Sequence, residues 1–161
     1  MSRAPIDLTF TTDLDSSAEA VWSVVATMPG VNAELGPWVR MTHPRGLGRI
    51  DEVEVVPGAP LFSSWLLLLG IVPIDRHRLV LDRVLARGFD EDSTSWLQRR
   101  WRHERRVEDR PGGGCVVTDR LVVVPRVGPA APLVRRIVAA VFAHRHRRLR
   151  RRFGTPGSPA S

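Results

Sequence analysis

The chain contains no lysine and no tyrosine, and cysteine occurs once, at Cys115. A single cysteine excludes an intrachain disulfide. Beside the glycines at 112–114, Cys115 reads as a small buried hydrophobe rather than a nucleophile, because spacing places no histidine next to it. Without lysine, arginine is the sole strongly basic residue, 24 in all. A bias that complete reflects GC-rich coding as much as selection for phosphate binding, so the arginine count alone does not mark a nucleic-acid partner. Long apolar runs are also missing. LFSSWLLLLGIV, residues 61–72, contains two serines and is too short to cross ~30 Å of hydrocarbon as a helix. The start, MSRAPIDLTFTTDLD, lacks a signal peptide's apolar region and reads as mature protein, so a cytoplasmic location is expected. There is no G-x-G-x-x-G after a strand, no P-loop, no G-x-S-x-G and no internal repeat. No cofactor is expected.

What is present fits one domain: 161 residues, 43% of them hydrophobic, enough for a real core and against wholesale disorder. The net charge of +7 is lopsided. Residues 1–94 hold 8 arginines and 13 acids, and residues 95–161 hold 16 arginines and 4 acids.

Residues 6–14 alternate apolar and polar and predict a half-buried strand. DSSAEAVWSVVATMPG predicts a helix, with Ser16 and Glu19 at capping-box spacing and Pro29-Gly30 as its stop. Residues 31–35 suggest a second short helix. Residues 38–42, 49–56 and 77–86 read as strands, and 61–72 as a strand in preference to a short helix. DEDS, 90–93, reads as a turn of solvated acids. The runs 95–108 and 114–125 flank the turn signal DRPGG and predict a hairpin. A register centred on that turn places His103 opposite Asp119, Trp101 opposite Leu121 and Arg105 opposite Val117. A helix follows Pro132 and runs to about Phe153; GTPGSPAS, 154–161, reads as a disordered tail. Strands in sequence with helices segregated from them make an α+β domain over 1–153.

The last helix ends in FAHRHRRLRRRF. Val134, Val138, Val141, Phe142, Arg145, Leu149 and Phe153 form one stripe. Arg147, Arg148, Arg151 and Arg152 lie off it, as a solvated face. No aromatic stacking platform or zinc-finger pattern accompanies them, so nucleic acid is not an expected partner. Contact with an anionic membrane surface is the alternative reading of that face. Arg145 lies on the stripe and either snorkels outward or points into a cavity. His144 and His146 are two apart and face different ways, so no metal site is expected. His43 and His77 show no constellation.

Residues 89–125 resemble the pattern F-x-D … W-x-H-x-H-x-F … G-T … D-x-V-x-Y … P of one branch of the SRPBCC superfamily. That superfamily contains birch-pollen-allergen-like, START lipid-transfer and polyketide cyclase/dehydrase proteins. The last helix resembles that branch's F-x-x-R-x-x-x-L-x-x-x-F ending, and SSAEAVWSVV its beginning. Arg105, Val107, Cys115 and Val123 stand where the branch has His, Phe, Thr and Tyr. The resemblance implies a helix-grip fold: a curved seven-stranded antiparallel sheet around a long C-terminal helix, with two short N-terminal helices. It also implies enclosure of an apolar or aromatic small molecule, lipid- or polyketide-like, with cyclase or hydrolase chemistry in some members.

The candidate cavity residues are Trp101, His103, Arg105, Asp119, Leu121, Val138, Phe142 and Arg145. A carboxylate beside imidazole fixes its tautomer, so His103 with Asp119 is the candidate general base; a structural hydrogen bond inside the sheet is the alternative. Arg99 and Arg105 are candidates to hold a ligand carboxylate or phenolate, or to pair with acids. Trp22, Trp38, Trp65 and Trp96 are core or cavity walls.

Overall fold

A computed structural model describes residues 4–157. Strand β1 (Ile6–Leu14) leads into helices α1 (Ala18–Val25) and α2 (Met28–Leu35). Strands β2 (Val39–Met41), β3 (Phe62–Leu68), β4 (Val72–Leu79), β5 (Leu81–Leu85), β6 (Gly88–Ser95), β7 (Gln98–Asp109) and β8 (Cys115–Pro125) follow. A single 3-10 turn at Gly128–Ala130 starts helix α3, Ala131–Phe153. Every strand pairing is antiparallel, and the sheet runs β1-β8-β7-β6-β4-β3-β2, with β5 also on β6. β4 and β5 meet β6 in one register across Val80 and act as one strand interrupted there, with a bulge between Leu81 and Arg83. The curled seven-strand path with its long C-terminal helix is the helix-grip α+β fold.

Local chemistry explains the helices, with corrections to the sequence reading. The α1 cap is Ser17, whose side chain accepts from Ala20 N at 3.2 Å. Ser16 instead donates its hydroxyl to the carbonyl of Phe153 and ties the start of α1 to the end of α3. Pro29-Gly30 does not stop a helix; it lies in the first turn of α2, behind the Thr27 cap, where a missing proline N–H leaves no bond unmade. Gly30 is required there, since a Cβ would fall 2.0 Å from the Val24 carbonyl oxygen.

The segment 49–56 is not a strand. Arg49 bridges Thr27, and Asp51 accepts from both Trp22 Nε1 and Arg49. Its polar groups are thus committed to α1 rather than to a ladder. DEDS is not a turn of solvated acids; it lies inside β6, with Asp90 and Glu91 buried. The β7–β8 hairpin forms, but its register is two residues from the predicted one. His103 faces Leu121, Arg105 faces Asp119 and Trp101 faces Val123. A slip of two preserves which face each side chain occupies.

Two apolar clusters form the core. The larger joins α1, Leu14, Val107, Cys115, Val117 and Leu149. The smaller joins Ile6, Leu121, Val123, Val138 and Phe142 and seats α3 on the sheet. Of the tail expected over 154–161, Gly154 accepts from Asp15 N at 3.2 Å, and 158–161 lie outside the described residues. No helix among the described residues is long and apolar enough to cross a membrane.

Candidate functional site: a cavity with a charged floor

Between the concave face of the sheet and α3 lies a cavity of about 240 Å3. That is slightly below the roughly 300–1,000 Å3 typical of small-molecule sites. Its walls are Met28, Met41, Phe62, Leu66, Leu79, Phe89, Trp101, Val138, Val141 and Phe142, among others. Ile74, Leu97 and Ile137 also line it while remaining about half exposed, so they mark its mouth. The β3–β4 turn beside Leu66 and Ile74 keeps Leu69 and Ile71 exposed, which extends the apolar rim. The aromatic walls contact each other: Phe142 meets His103 edge-on at 5.2 Å and Trp101 at 6.3 Å.

Polar groups gather at one part of this wall and continue beneath it. Asp119, fully buried, accepts four hydrogen bonds: from His103 Nε2 at 2.7 Å, Arg105 Nε and Nη2 at 2.8 Å each, and His146 Nε2 at 2.9 Å. A carboxylate only accepts, and four bonds fill its sites. Glu34, from α2, accepts from Arg105 Nη1 and Nη2 at 2.7 and 2.8 Å and from Arg145 Nε at 3.0 Å. Glu91 receives His77 Nε2 and Ser93 Oγ, both at 2.6 Å, and has His103 Nδ1 at 3.7 Å. His146 Nδ1 completes its environment with Thr12 Oγ1 at 2.7 Å. Seven elements therefore converge: α2 and α3, together with strands β1, β4, β6, β7 and β8.

The electrostatics follow from this enclosure. Burial alone would raise the Asp119 carboxyl, but the Arg105 charge and its hydrogen bonds outweigh it and hold it well below the usual range. Burial opposes ionisation of Glu34 too, and Arg105 and Arg145 reverse it. Glu91 is brought down to about 2 because the nearby His103 and the hydrogen-bonded His77 overcome its desolvation. Arg105, itself penalised by burial, is raised well above its usual value by Asp119 and Glu34.

Of the residues expected at the cavity, Trp101, His103, Val138, Phe142 and Arg145 line it. Arg105, Asp119 and Leu121 do not; each is 0% exposed and lies behind the wall. The two-residue register difference sets Arg105 directly against Asp119, so its guanidinium is consumed by Asp119 and Glu34 rather than presented to a ligand. Arg99, expected beside Trp101, is exposed at the bulge between Gln98 and Arg100. Trp22 is core, while Trp38 and Trp96 are exposed.

Sequence reasoning missed Glu34, His77, Glu91 and His146. For His146 a signal existed, since it stands four residues after Phe142 and three before Leu149, on the buried stripe. For Glu91 the signal was the alternation Phe89, Glu91, Ser93, Ser95. Glu34 and His77 gave none, because their partners are 71 and 14 residues away in the chain.

Several polar groups on the cavity wall keep unused capacity, among them Asp75 Oδ2, whose companion oxygen takes the backbone N–H groups of Arg76 and Leu97. His77 Nδ1 and both Nη atoms of Arg145 make no hydrogen bond among the described residues. Gln98 Oε1 is buried with no partner there. No group of three or more His, Cys, Asp or Glu side chains among the described residues is arranged to hold a metal.

Comparison with solved structures agrees on the architecture. A START superfamily protein from Mycobacterium smegmatis superposes with a TM-score of 0.65 at 11% identity, covering 91% of this chain and 96% of that one. Ara h 8.0201 matches with a TM-score of 0.55 at 9% identity, over 91% and 98% of the two chains. DynU16, a protein of the dynemicin biosynthetic locus, matches with a TM-score of 0.55 at 13% identity over 94% of this chain but 49% of its own. At these identities the likeness is one of fold, the helix-grip fold. No curated protein matches by sequence. A family model does match residues 12–153, and the chain belongs to that family, the domain of unknown function DUF8410.

Proposed function

We propose that the protein binds an apolar or aromatic small molecule, lipid- or polyketide-like, in the cavity between the sheet and α3. The observation that carries this reading is the cavity itself: an apolar, aromatic-rich wall with a few polar groups and a rim of exposed Ile74, Leu97 and Ile137. Neighbours sharing the fold, among them a START superfamily protein, support enclosure of a ligand in general terms. Two measurements test it. Native mass spectrometry of protein purified from its source is expected to reveal a bound small molecule. Nile red, a neutral dye, is expected to bind saturably to the wild type and to be excluded from Val141→Trp, which fills the cavity from α3. Equal dye binding by the two proteins would place the dye elsewhere and defeat the reading.

A second reading, acid–base catalysis of the cyclase/aromatase type, is favoured by the His77–Glu91 pair. In the arrangement first expected, His103 is the base and Asp119 orients it. Both His103 nitrogens, however, are turned toward carboxylates, Asp119 and Glu91. His77 is oriented by Glu91 through Nε2 and keeps Nδ1 unengaged on a cavity-lining ring. It is the better-placed base for a proton next to a ligand carbonyl. If so, the wild type accelerates hydrogen–deuterium exchange alpha to the carbonyl of an aryl ketone in heavy water, and His77→Asn does not. No acceleration by the wild type would leave binding alone.

A further inference from the structure

Resting on the reading that this cavity binds a small molecule, we infer that its ligand is an organic acid: an apolar, ring-bearing body whose carboxylate is held by Arg145.

Asp75, beside Ile74 at the mouth, takes the backbone N–H groups of Arg76 and Leu97 on Oδ1, and every carboxylate deeper in is already engaged in ion pairs. Asp119 accepts four hydrogen bonds and Glu34 three. One Glu91 oxygen takes both His77 and Ser93, and the other faces His103. The unpaired acceptor Gln98 Oε1 is a neutral amide oxygen; the charged capacity that remains deep in the cavity is that of a donor. A guanidinium carries five N–H groups, and Arg145 uses only Nε, toward Glu34. Its side chain is 8% exposed, lines the cavity and lies with Cζ 4.8 Å from the Phe142 ring centroid. Two Nη groups held in that position match the two oxygens of a carboxylate, the bidentate geometry that distinguishes arginine.

Arg105 provides the contrast within the same cluster. Its Nε, Nη1 and Nη2 are all spent on Asp119 and Glu34, and it has no exposure. Glu34 therefore does two things. It neutralises Arg105, and it orients Arg145 through Nε, leaving the outer edge of that guanidinium toward the cavity.

The position sets the shape of the ligand. Ile137 marks the mouth and Arg145 lies eight residues further along α3, or roughly 12 Å at the helical rise. Between them the wall presents Val138, Val141 and Phe142, with Trp101 across from them. An apolar body spanning that distance, acid end inward, would cover these side chains. Flat aromatic walls favour a ring in that body.

The test compares two molecules of one shape and different charge, naphthalene-2-carboxylate and naphthalene-2-carboxamide, by isothermal titration calorimetry at neutral pH. The carboxylate is expected to bind the wild type more tightly by about tenfold, as a charge-assisted contact predicts. In Arg145→Gln that preference should vanish while amide binding persists. Arg145→Lys, which keeps the charge without the fork, should retain part of it. Equal affinities in the wild type, or a preference for the amide, would overturn the inference and leave cavity binding intact; that comparison needs no variant to fold. If neither compound binds while Nile red is excluded by Val141→Trp, the acid is wrong and the cavity reading stands. If Nile red also fails, both readings fall.

Discussion

Arginine surrounds two very different regions of this protein. In the interior, Arg105 is fully enclosed and makes four charge-assisted hydrogen bonds to Asp119 and Glu34, with Arg145 beside it. On the outer face of α3, Arg147, Arg148, Arg151 and Arg152 are exposed; Arg148 reaches only the Ala33 carbonyl and Arg152 leans over Phe153 at 5.6 Å. The residue type is the same and the helix is partly the same. What differs is the dielectric and the partners. A charge removed from water must be matched by opposite charge and hydrogen bonds, and removing one partner then strands the other. A charge left in water loses little when its neighbours change and is screened beyond ~10 Å at ~0.1 M salt. The interior arginines are thus determined by position, whereas the outer ones are interchangeable.

Three changes test this contrast, the largest first. Asp119→Ala would leave Arg105 with Glu34 alone and strand two imidazoles. It should cost about 3–5 kcal/mol in urea unfolding, the range for breaking a buried pair. A loss below about 1 kcal/mol, typical of exposed pairs, would mean that water reaches the cluster and would erase the distinction. Glu91→Gln should have the next effect and should also change the pH dependence. Glu91 is lowered from 4.5 to about 2 in the folded chain. A depressed carboxyl pKa stabilises the fold fully above the unfolded value, and the contribution is lost as pH falls from about 4.5 toward 2. The drop corresponds to stability on the order of 3 kcal/mol. The variant should lack it at neutral pH and lose correspondingly less between pH 4.5 and 2; unchanged acid unfolding would show that His77 and His103 do not hold the charge. The smallest effect is expected outside. Replacing Arg147, Arg148, Arg151 and Arg152 with Gln should change stability by no more than about 0.5 kcal/mol each. Wild-type affinity for duplex DNA should remain in the non-specific range, roughly 10⁻⁴ to 10⁻⁶ M, and anionic vesicles should bind no more tightly. Submicromolar binding at physiological salt, lost in the Gln variant, would make that face a docking surface.

The outer face was legible in the sequence because solvation is a local property: residues off an apolar helical stripe face water. The same reasoning identified β1, the β7–β8 hairpin and α3, whose patterns are long and whose turn signals are strong. It failed at 90–93, where acids that look like a solvated turn point into the protein or pair across strands. A cavity with polar groups on its wall breaks the hydrophobic alternation that marks a strand, so β6 was hidden by the residues that matter most to the site. It failed at 49–56 because side-chain bonds from Asp51 to Trp22 and Arg49, invisible in a linear pattern, replaced a ladder.

By itself the sequence determined the class of fold, the long closing helix and the inward direction of Trp101, His103 and Phe142, since periodicities of two and of three to four dictate which side chains share a face. Only the tertiary structure decided how those faces were completed. A two-residue choice of register put Arg105 rather than His103 opposite Asp119. The approach of α2 to α3 brought Glu34 across 71 and 111 residues of chain to Arg105 and Arg145. Faces follow from the covalent geometry of each residue and its neighbours; partners across such distances follow from packing, where buried charge must find its complement among whatever the fold brings near.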